Sequence, residues 1–214
     1  MQDKLKQHWN EKYKTTSQEK LGWYEETSSP SLELIQECGL SKSDSVLDIG
    51  SGSSTLIDSL IQEGYTSIIA SDISEAALEI TKARLGTLAA KVTFVVDDVL
   101  RPDKLDALEK VSLWHDRAVF HFFTEENDRA LYLKTLTAIL KPGGYVIIST
   151  FALHGLTQCS GLPVKAYTSE MLANFLGPEF KLLKEQPHLY TTTWGQERPF
   201  IYTVFQKYSR QEKM

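Results

Sequence analysis

Val46-Leu47-Asp48-Ile49-Gly50-Ser51-Gly52-Ser53-Ser54 reads as an apolar strand running straight into a glycine turn and then a helix. In a doubly wound sheet this is where the ligand binds. Glycines at 50 and 52 allow a tight turn and let a ligand approach the backbone closely, and the following helix offers free N–H groups to an anion. Thr55 stands where a GxGxxG dinucleotide fingerprint has its third glycine. Asp48 puts a carboxylate close to where a pyrophosphate would lie, and like charges repel there. Both features weigh against an NAD-binding oxidoreductase and favour a ligand carrying an ammonium group.

Outward from this turn, short apolar runs alternate with amphipathic stretches: SVLDI (45–49), SIIAS (67–71), VTFVV (92–96), VSLWH (111–115) and YVIIST (145–150). Such near-continuous apolar strands suit a parallel sheet covered by helices on both faces. STLIDSLIQE stops at Gly64, SEAALEITKARL starts after Ser74 and stops at Gly86, and a helix from near Thr124 runs to Leu140, before Pro142-Gly143-Gly144. Past residue 178, FKLLKEQPHLYTT and FIYTVFQKY are separated by WGQERP, with no room for a helix, and predict an antiparallel hairpin. The expected fold is α/β: a Rossmann-like doubly wound sheet of seven strands over 45–207, mostly parallel, with a C-terminal antiparallel hairpin. Residues 1–40 read as a helical cover, with one helix around LKQHWNEKYK. A second has Ser29 as cap, Pro30 at its first position and Gly39 as stop. Their aromatics, Trp9, Tyr13, Trp23 and Tyr24, are expected over one edge of the sheet.

The chain has 214 residues, 42% hydrophobic and 24% charged, which predicts a single domain (1–214) with a full core. Its net charge of −5, with no basic run, argues against nucleic acid as a partner. No apolar run reaches bilayer length and MQDKLKQHWN is too polar for a secretory signal, so the expected location is cytoplasmic, with no membrane partner. Cys38 and Cys159 are far apart and form no CxxC pair, which suggests neither a disulfide framework nor a structural zinc site.

The second run ends in Asp72-Ile73-Ser74 and the third in Asp97-Asp98-Val99. A carboxylate at 72 can accept from two ribose hydroxyls, Asp98 can accept from an adenine amine, and Val99 can pack on the ring. Each acid has a plainer reading, as turn former, helix cap or solvated loop group; the three together at successive strand ends describe a site for adenosine joined to a zwitterionic tail. VLDIGSGSS, SDIS, FVVDDV and LKPGGYVIIST, in this order and spacing, resemble the successive motifs of class I S-adenosylmethionine-dependent methyltransferases over about residues 20–207. The resemblance implies S-adenosylmethionine as cofactor. It implies that Gly50, Ser51 and Gly52 hold its methionine end with Asp48 at the amino group, that Asp72 and Ile73 hold the ribose, and that Asp98 and Val99 hold adenine. His115 at the fourth strand end and Trp23, an aromatic face for the sulfonium, complete the expected cofactor contacts.

The acceptor side reads Trp114-His115-Asp116-Arg117-Ala118-Val119-Phe120-His121. It lacks the Asn/Asp-Pro-Pro-aromatic motif of relatives that methylate nucleic acid or glutamine. Trp-x-Asp-Arg-Ala followed by Arg129 and Tyr132 is similar to thiopurine methyltransferases. Gly22-Trp23-Tyr24, with Gly64-Tyr65 and Asp72-Ile73-Ser74, is similar to the methyltransferase-like group that modifies protein lysines. In that group the fourth strand ends in Asp-Lys-Gly, from which Asp116-Arg117-Ala118 departs. Arg117 is the expected contact for an anionic or polar acceptor, or else pairs with Asp116 or Glu125. His121 and His115 are candidate bases with Asp116 as orienting carboxylate; the plainer reading is a pair of buried histidines. No metal site is expected, since these residues form no compact ligand set. The long segment 151–167 reads as a lid or acceptor wall, and Cys159 within it as a small buried residue. The expected function is direct methyl transfer to a small-molecule acceptor. A protein lysine is the alternative acceptor, and a cofactor-binding module without catalysis is the alternative of another class.

Overall fold

The computed structural model describes residues 2–153 and 155–209. Each apolar run of the sequence becomes a strand: β1 Val46–Ile49, β2 Ile68–Asp72, β3 Val92–Val96, β4 Val111–Arg117 and β5 Leu140–Phe151. The C-terminal runs form β8 Phe180–Thr191 and β9 Glu197–Lys207, and the sheet order is β3-β2-β1-β4-β5-β9-β8. Pairing is parallel from β3 through β5, and only β9 runs opposite to the other six strands. This is the expected seven-stranded Rossmann-like sheet with its terminal hairpin. Pro187 is tolerated in β8 because that strand lies at the edge of the sheet.

Helices cover both faces, which is why every residue of β1 is buried. Val46 faces a cluster with Leu34 and Ile35 of α2 (Ser31–Glu37), Ile57 and Leu60 of α3 (Leu56–Gln62) and Leu78 of α4 (Glu75–Leu85). Leu47 and Ile49 face the opposite cluster, with Tyr132 and Leu136 of α5 (Glu126–Ile139) and Leu172 of α6 (Ser169–Leu176). Local sequence marks the ends of these helices. Ser74 accepts the Ala77 amide at 3.2 Å and Thr168 accepts the Met171 amide at 3.1 Å, while Gly86 and Gly177 close α4 and α6 at positive φ.

Four expectations are corrected. α2 begins at Ser31 with Pro30 in the cap position, and the Ser29 hydroxyl donates to the Glu33 carboxylate at 2.6 Å instead of capping the backbone. α5 starts at Glu126 and β5 already at Leu140, so Pro142-Gly143-Gly144 lies inside the irregular start of a strand. Residues 151–167, between β5 and α6, contain a two-residue ladder, β6 Gln158–Cys159 with β7 Leu162–Pro163, which adds to the sequence reading without correcting it. The N-terminal 40 residues are not one cover: α2 belongs to the helix layer, whereas α1 (Gln2–Thr15) packs on α4. Trp9, Tyr13, Trp23 and Tyr24 cluster with Leu21 and Ala77 above the glycine turn, not over a sheet edge.

Candidate active site

The carboxyl ends of β1, β2 and β4 open into a cleft roofed by α1 and residues 21–25. Its two lobes share Trp23, Gly50 and Arg117. The glycine turn follows β1 directly: Gly50 and Gly52 take φ of +57° and +55°, a region that costs side-chain-bearing residues about 1–2 kcal/mol. A Cβ at 50 would collide with the Val119 side chain and one at 52 with the Tyr13 hydroxyl. Both glycines are therefore required by space as well as by backbone angle.

Asp48 and His115 lie side by side on paired strands, with Asp48 Oδ1 to His115 Nδ1 at 2.6 Å and His115 Nε2 to the Ser31 hydroxyl at 2.9 Å. The other oxygen of Asp48 is buried without a partner, as is the Ser51 hydroxyl, and both residues line the outer lobe. Two unpartnered acceptors beside a glycine turn are a socket for a ligand's hydrogen-bond donors. Asp72 accepts from the Gly52 amide at 2.8 Å and the Ser74 amide at 2.7 Å, leaving lone pairs toward the inner lobe. Burial raises its pKa to about 6 against the pull of those amides. Ile73 is half-buried next to it. Asp98 accepts from the Leu100 amide at 2.9 Å, and Val99 is buried in the α5-side cluster. Neither lines the two lobes, so the structure brings Asp48, Gly50, Ser51, Gly52, Asp72, His115 and Trp23 together and leaves Asp98 and Val99 farther along the strand ends.

The three catalytic candidates separate. Asp116 is fully buried; it accepts from the Val119 and Phe120 amides at 3.1 and 3.2 Å and from the Tyr132 hydroxyl at 2.7 Å, and burial raises its pKa to about 6. It shapes the turn after β4 and does not face the cleft. His121 is stacked on Phe151 with ring centroids 4.6 Å apart, has no partner at either nitrogen, and is pushed down to about 3 by burial and by Arg117. So weak and enclosed a base is not placed to take a proton from a ligand. Arg117 does line both lobes, but its partner is neither Asp116 nor Glu125. It meets Glu25 at 2.7 Å, the Trp23 carbonyl at 2.9 Å and the Tyr202 hydroxyl at 3.0 Å. Its charge is matched within the protein, and it pins the roof to the end of β4. Ala118, next in the chain, sits at φ +65°, a strained angle at the rim where an acceptor would approach.

The inner lobe has Trp9, Tyr13, Phe122, Phe151 and Phe200 among its walls. Cys159 and Arg198 complete it, the former from the segment expected to form an acceptor wall. Sequence reading missed Glu25, Arg198, Phe200 and Tyr202. Glu25 and Arg198 stand in no motif, and the contacts that give Tyr202, Glu25 and Arg198 their roles cross from 85 to 176 residues of chain. No described helix is long and apolar enough to cross a membrane.

Residues 46–144 match a methyltransferase domain family. The chain is 26% identical to the EEF1A lysine methyltransferase 2 of Danio rerio, covering 85% of this chain and 77% of the relative. It is also 26% identical to the Homo sapiens protein of the same name, where the match covers 77% of this chain and 66% of the relative. An S-adenosylmethionine-dependent methyltransferase from Anabaena variabilis superposes with TM-score 0.76 at 17% identity, over 96% of this chain and 94% of the other. The Burkholderia thailandensis 1,6-didemethyltoxoflavin-N1-methyltransferase, solved with its substrate and S-adenosylhomocysteine, gives 0.67 at 21% identity, over 87% and 81%. These distant structures speak to the fold.

Proposed function

We propose that the chain is a class I S-adenosylmethionine-dependent methyltransferase that methylates a small-molecule acceptor held in the aromatic inner lobe. The observation that carries the reading is that lobe: a chamber with aromatic walls from Trp9, Tyr13, Phe122, Phe151 and Phe200, roofed by the chain's own α1 and residues 21–25. Bound S-adenosylmethionine supplies a methyl group on a sulfonium with a neutral thioether as leaving group. The residues fit such a cofactor, since the spare oxygen of Asp48 and the Ser51 hydroxyl would otherwise be unpartnered and buried.

In this reading Asp48 and Ser51 take the methionine end and Gly50 and Gly52 keep the turn clear of side chains. Asp72 takes the ribose with Ile73 beside it, and Asp98 and Val99 take adenine. His115 orients Asp48 through their 2.6 Å contact. Trp23, held by its indole N–H to the Tyr13 hydroxyl at 3.1 Å, covers the reacting atoms and keeps water out. Asp116 and Arg117 act through position, the first by fixing the Ala118–Val119 turn and the second by fixing the roof. Catalysis is then alignment and exclusion of water, without a base from His121.

Calorimetric titration of the pure protein with S-adenosylmethionine and S-adenosylhomocysteine tests the cofactor half; absence of binding overturns it. Incubating labelled cofactor with extract and separating small from large molecules tests the acceptor half, the label being expected in the small-molecule fraction. A second reading, methylation of a protein lysine, is favoured by the two 26%-identical relatives of that name and predicts label in protein.

A further inference from the structure

Arg198 opens β9, past the end of β5 and on the far side of β4 from the three acidic strand ends. It is 8% exposed and lines the inner lobe, yet it makes no ion pair among the described residues. Its terminal nitrogens donate to the Gly22 carbonyl at 2.7 Å and to Gln196 Oε1 at 3.1 Å, and its Nε has no acceptor. A guanidinium cannot shed its charge, so a buried one without a carboxylate is costly unless a ligand completes it. The place is built for it: a Cβ on residue 22 would overlap the guanidinium, which therefore lies flat on the backbone that Gly22 leaves bare. The Trp194 ring lies 5.7 Å from it on the side of the hairpin turn.

The other charges of the lobe are already matched. Arg117 has Glu25 at 2.7 Å, and Asp72 has the Gly52 and Ser74 amides and sits on the cofactor side. Cys159, beside Arg198, supplies no counter-charge, because burial pushes its thiol up despite the opposing pull of the guanidinium. Among the residues that line the lobe, what is left is one positive charge at the acceptor end of an aromatic chamber, with Lys12 a second cation acting on Cys159 from outside the lining.

Resting on the methyltransferase reading of this site, we propose that the acceptor is a flat, largely apolar small molecule carrying an anionic group, a carboxylate or an acidic oxygen or sulfur, received by Arg198. The aromatic walls take its body and the guanidinium takes its charge in two-pronged fashion. A lysine ammonium presents the wrong sign to this chamber, so the same charge separates the small-molecule acceptor from the protein one.

The test uses protein saturated with S-adenosylhomocysteine, whose binding is measured first; failure at that step overturns the methyltransferase reading itself. Calorimetry then compares three probes of one shape: 2-naphthylacetate, its neutral amide and 2-naphthylethylamine. The anion is expected to bind at least about tenfold tighter than the amide, with the amine weakest, a single charge-assisted contact being of that order. R198M, which keeps the stem and removes the charge, brings anion and amide within about twofold, while R198K restores part of the preference. Equal binding of the three probes, preference for the amine, no probe bound by the cofactor-product complex, or an anion preference that survives in R198M would each overturn the proposal. The wild-type probe series decides alone if a variant does not fold.

Discussion

Asp72 and His121 are both closed off from water, and burial drives each toward its uncharged form, the acid upward and the base downward. For Asp72, at about 6, the ionised carboxylate is what accepts from two hydroxyls. Affinity for S-adenosylhomocysteine is therefore expected to be flat above pH 7 and to fall by up to about tenfold per unit below 6. Calorimetry from pH 5 to 8 reads this, and D72N should bind weakly with no such slope. For His121 the folded value of about 3 lies below the ordinary 6.5, so its contribution to stability is complete above 6.5 and is lost as pH falls toward 3. His121→Phe, a ring that keeps the stack on Phe151, should match the wild type in urea melts at pH 7. At pH 5 it should be more stable by about 2 kcal/mol, from 1.4 kcal/mol per unit. At this scale the sequence was legible where chemistry is local. Asp48, Gly50, Gly52 and Asp72 are readable because a strand end and a turn dictate their positions. Glu25 and Arg198 were not, because the charge each balances or lacks is set by residues brought together only by folding.

In the proposed reading, cofactor binding depends on the turn between β1 and α3. Gly50→Ala combines a forbidden-side φ with a collision against Val119, and the turn must shift into the space the ligand needs. Loss of S-adenosylhomocysteine binding by at least about a hundredfold is expected, with a smaller loss of stability, about 1–3 kcal/mol. Titration and thermal melts of the same sample distinguish the two. Strands and their order of appearance were readable from apolar runs, and the hairpin from the absence of helix-length sequence between β8 and β9. Two elements were not. The ladder of β6 and β7 is too short to show any alternation. α1 has a helical pattern, but an apolar stripe does not say which surface it will cover, and Tyr13 over Gly52 is a contact only the assembled sheet defines.

Across the whole molecule, the roof and the sheet meet through long-range contacts: Arg117 with Trp23 and Glu25, Arg198 with Gly22, and Tyr190 with the Tyr24 carbonyl. A ligand seated between them should stabilise the whole fold rather than one loop. With S-adenosylhomocysteine at about a hundred times its dissociation constant, linkage gives about 2.7 kcal/mol, or a rise in Tm of roughly 5–10 °C for a domain of this size. A thermal melt with and without ligand reads it, and a shift under 2 °C at saturation would mean that roof and floor are not joined by the ligand.

The sheet order has a further consequence, in heredity rather than energetics. The acids proposed to hold the cofactor lie on β1, β2 and just past β3, encoded together in residues 48–98, whereas Phe151, Cys159, Arg198 and Phe200 are encoded downstream, on and between β5 and β9. Because β9 reverses direction, its first residues arrive at the same rim as the ends of the parallel strands. In the proposed reading, one stretch of the gene keeps the methyl donor while another receives the acceptor. On that reading, substitutions in the downstream stretch and in the roof are expected to alter acceptor choice while leaving S-adenosylhomocysteine affinity unchanged.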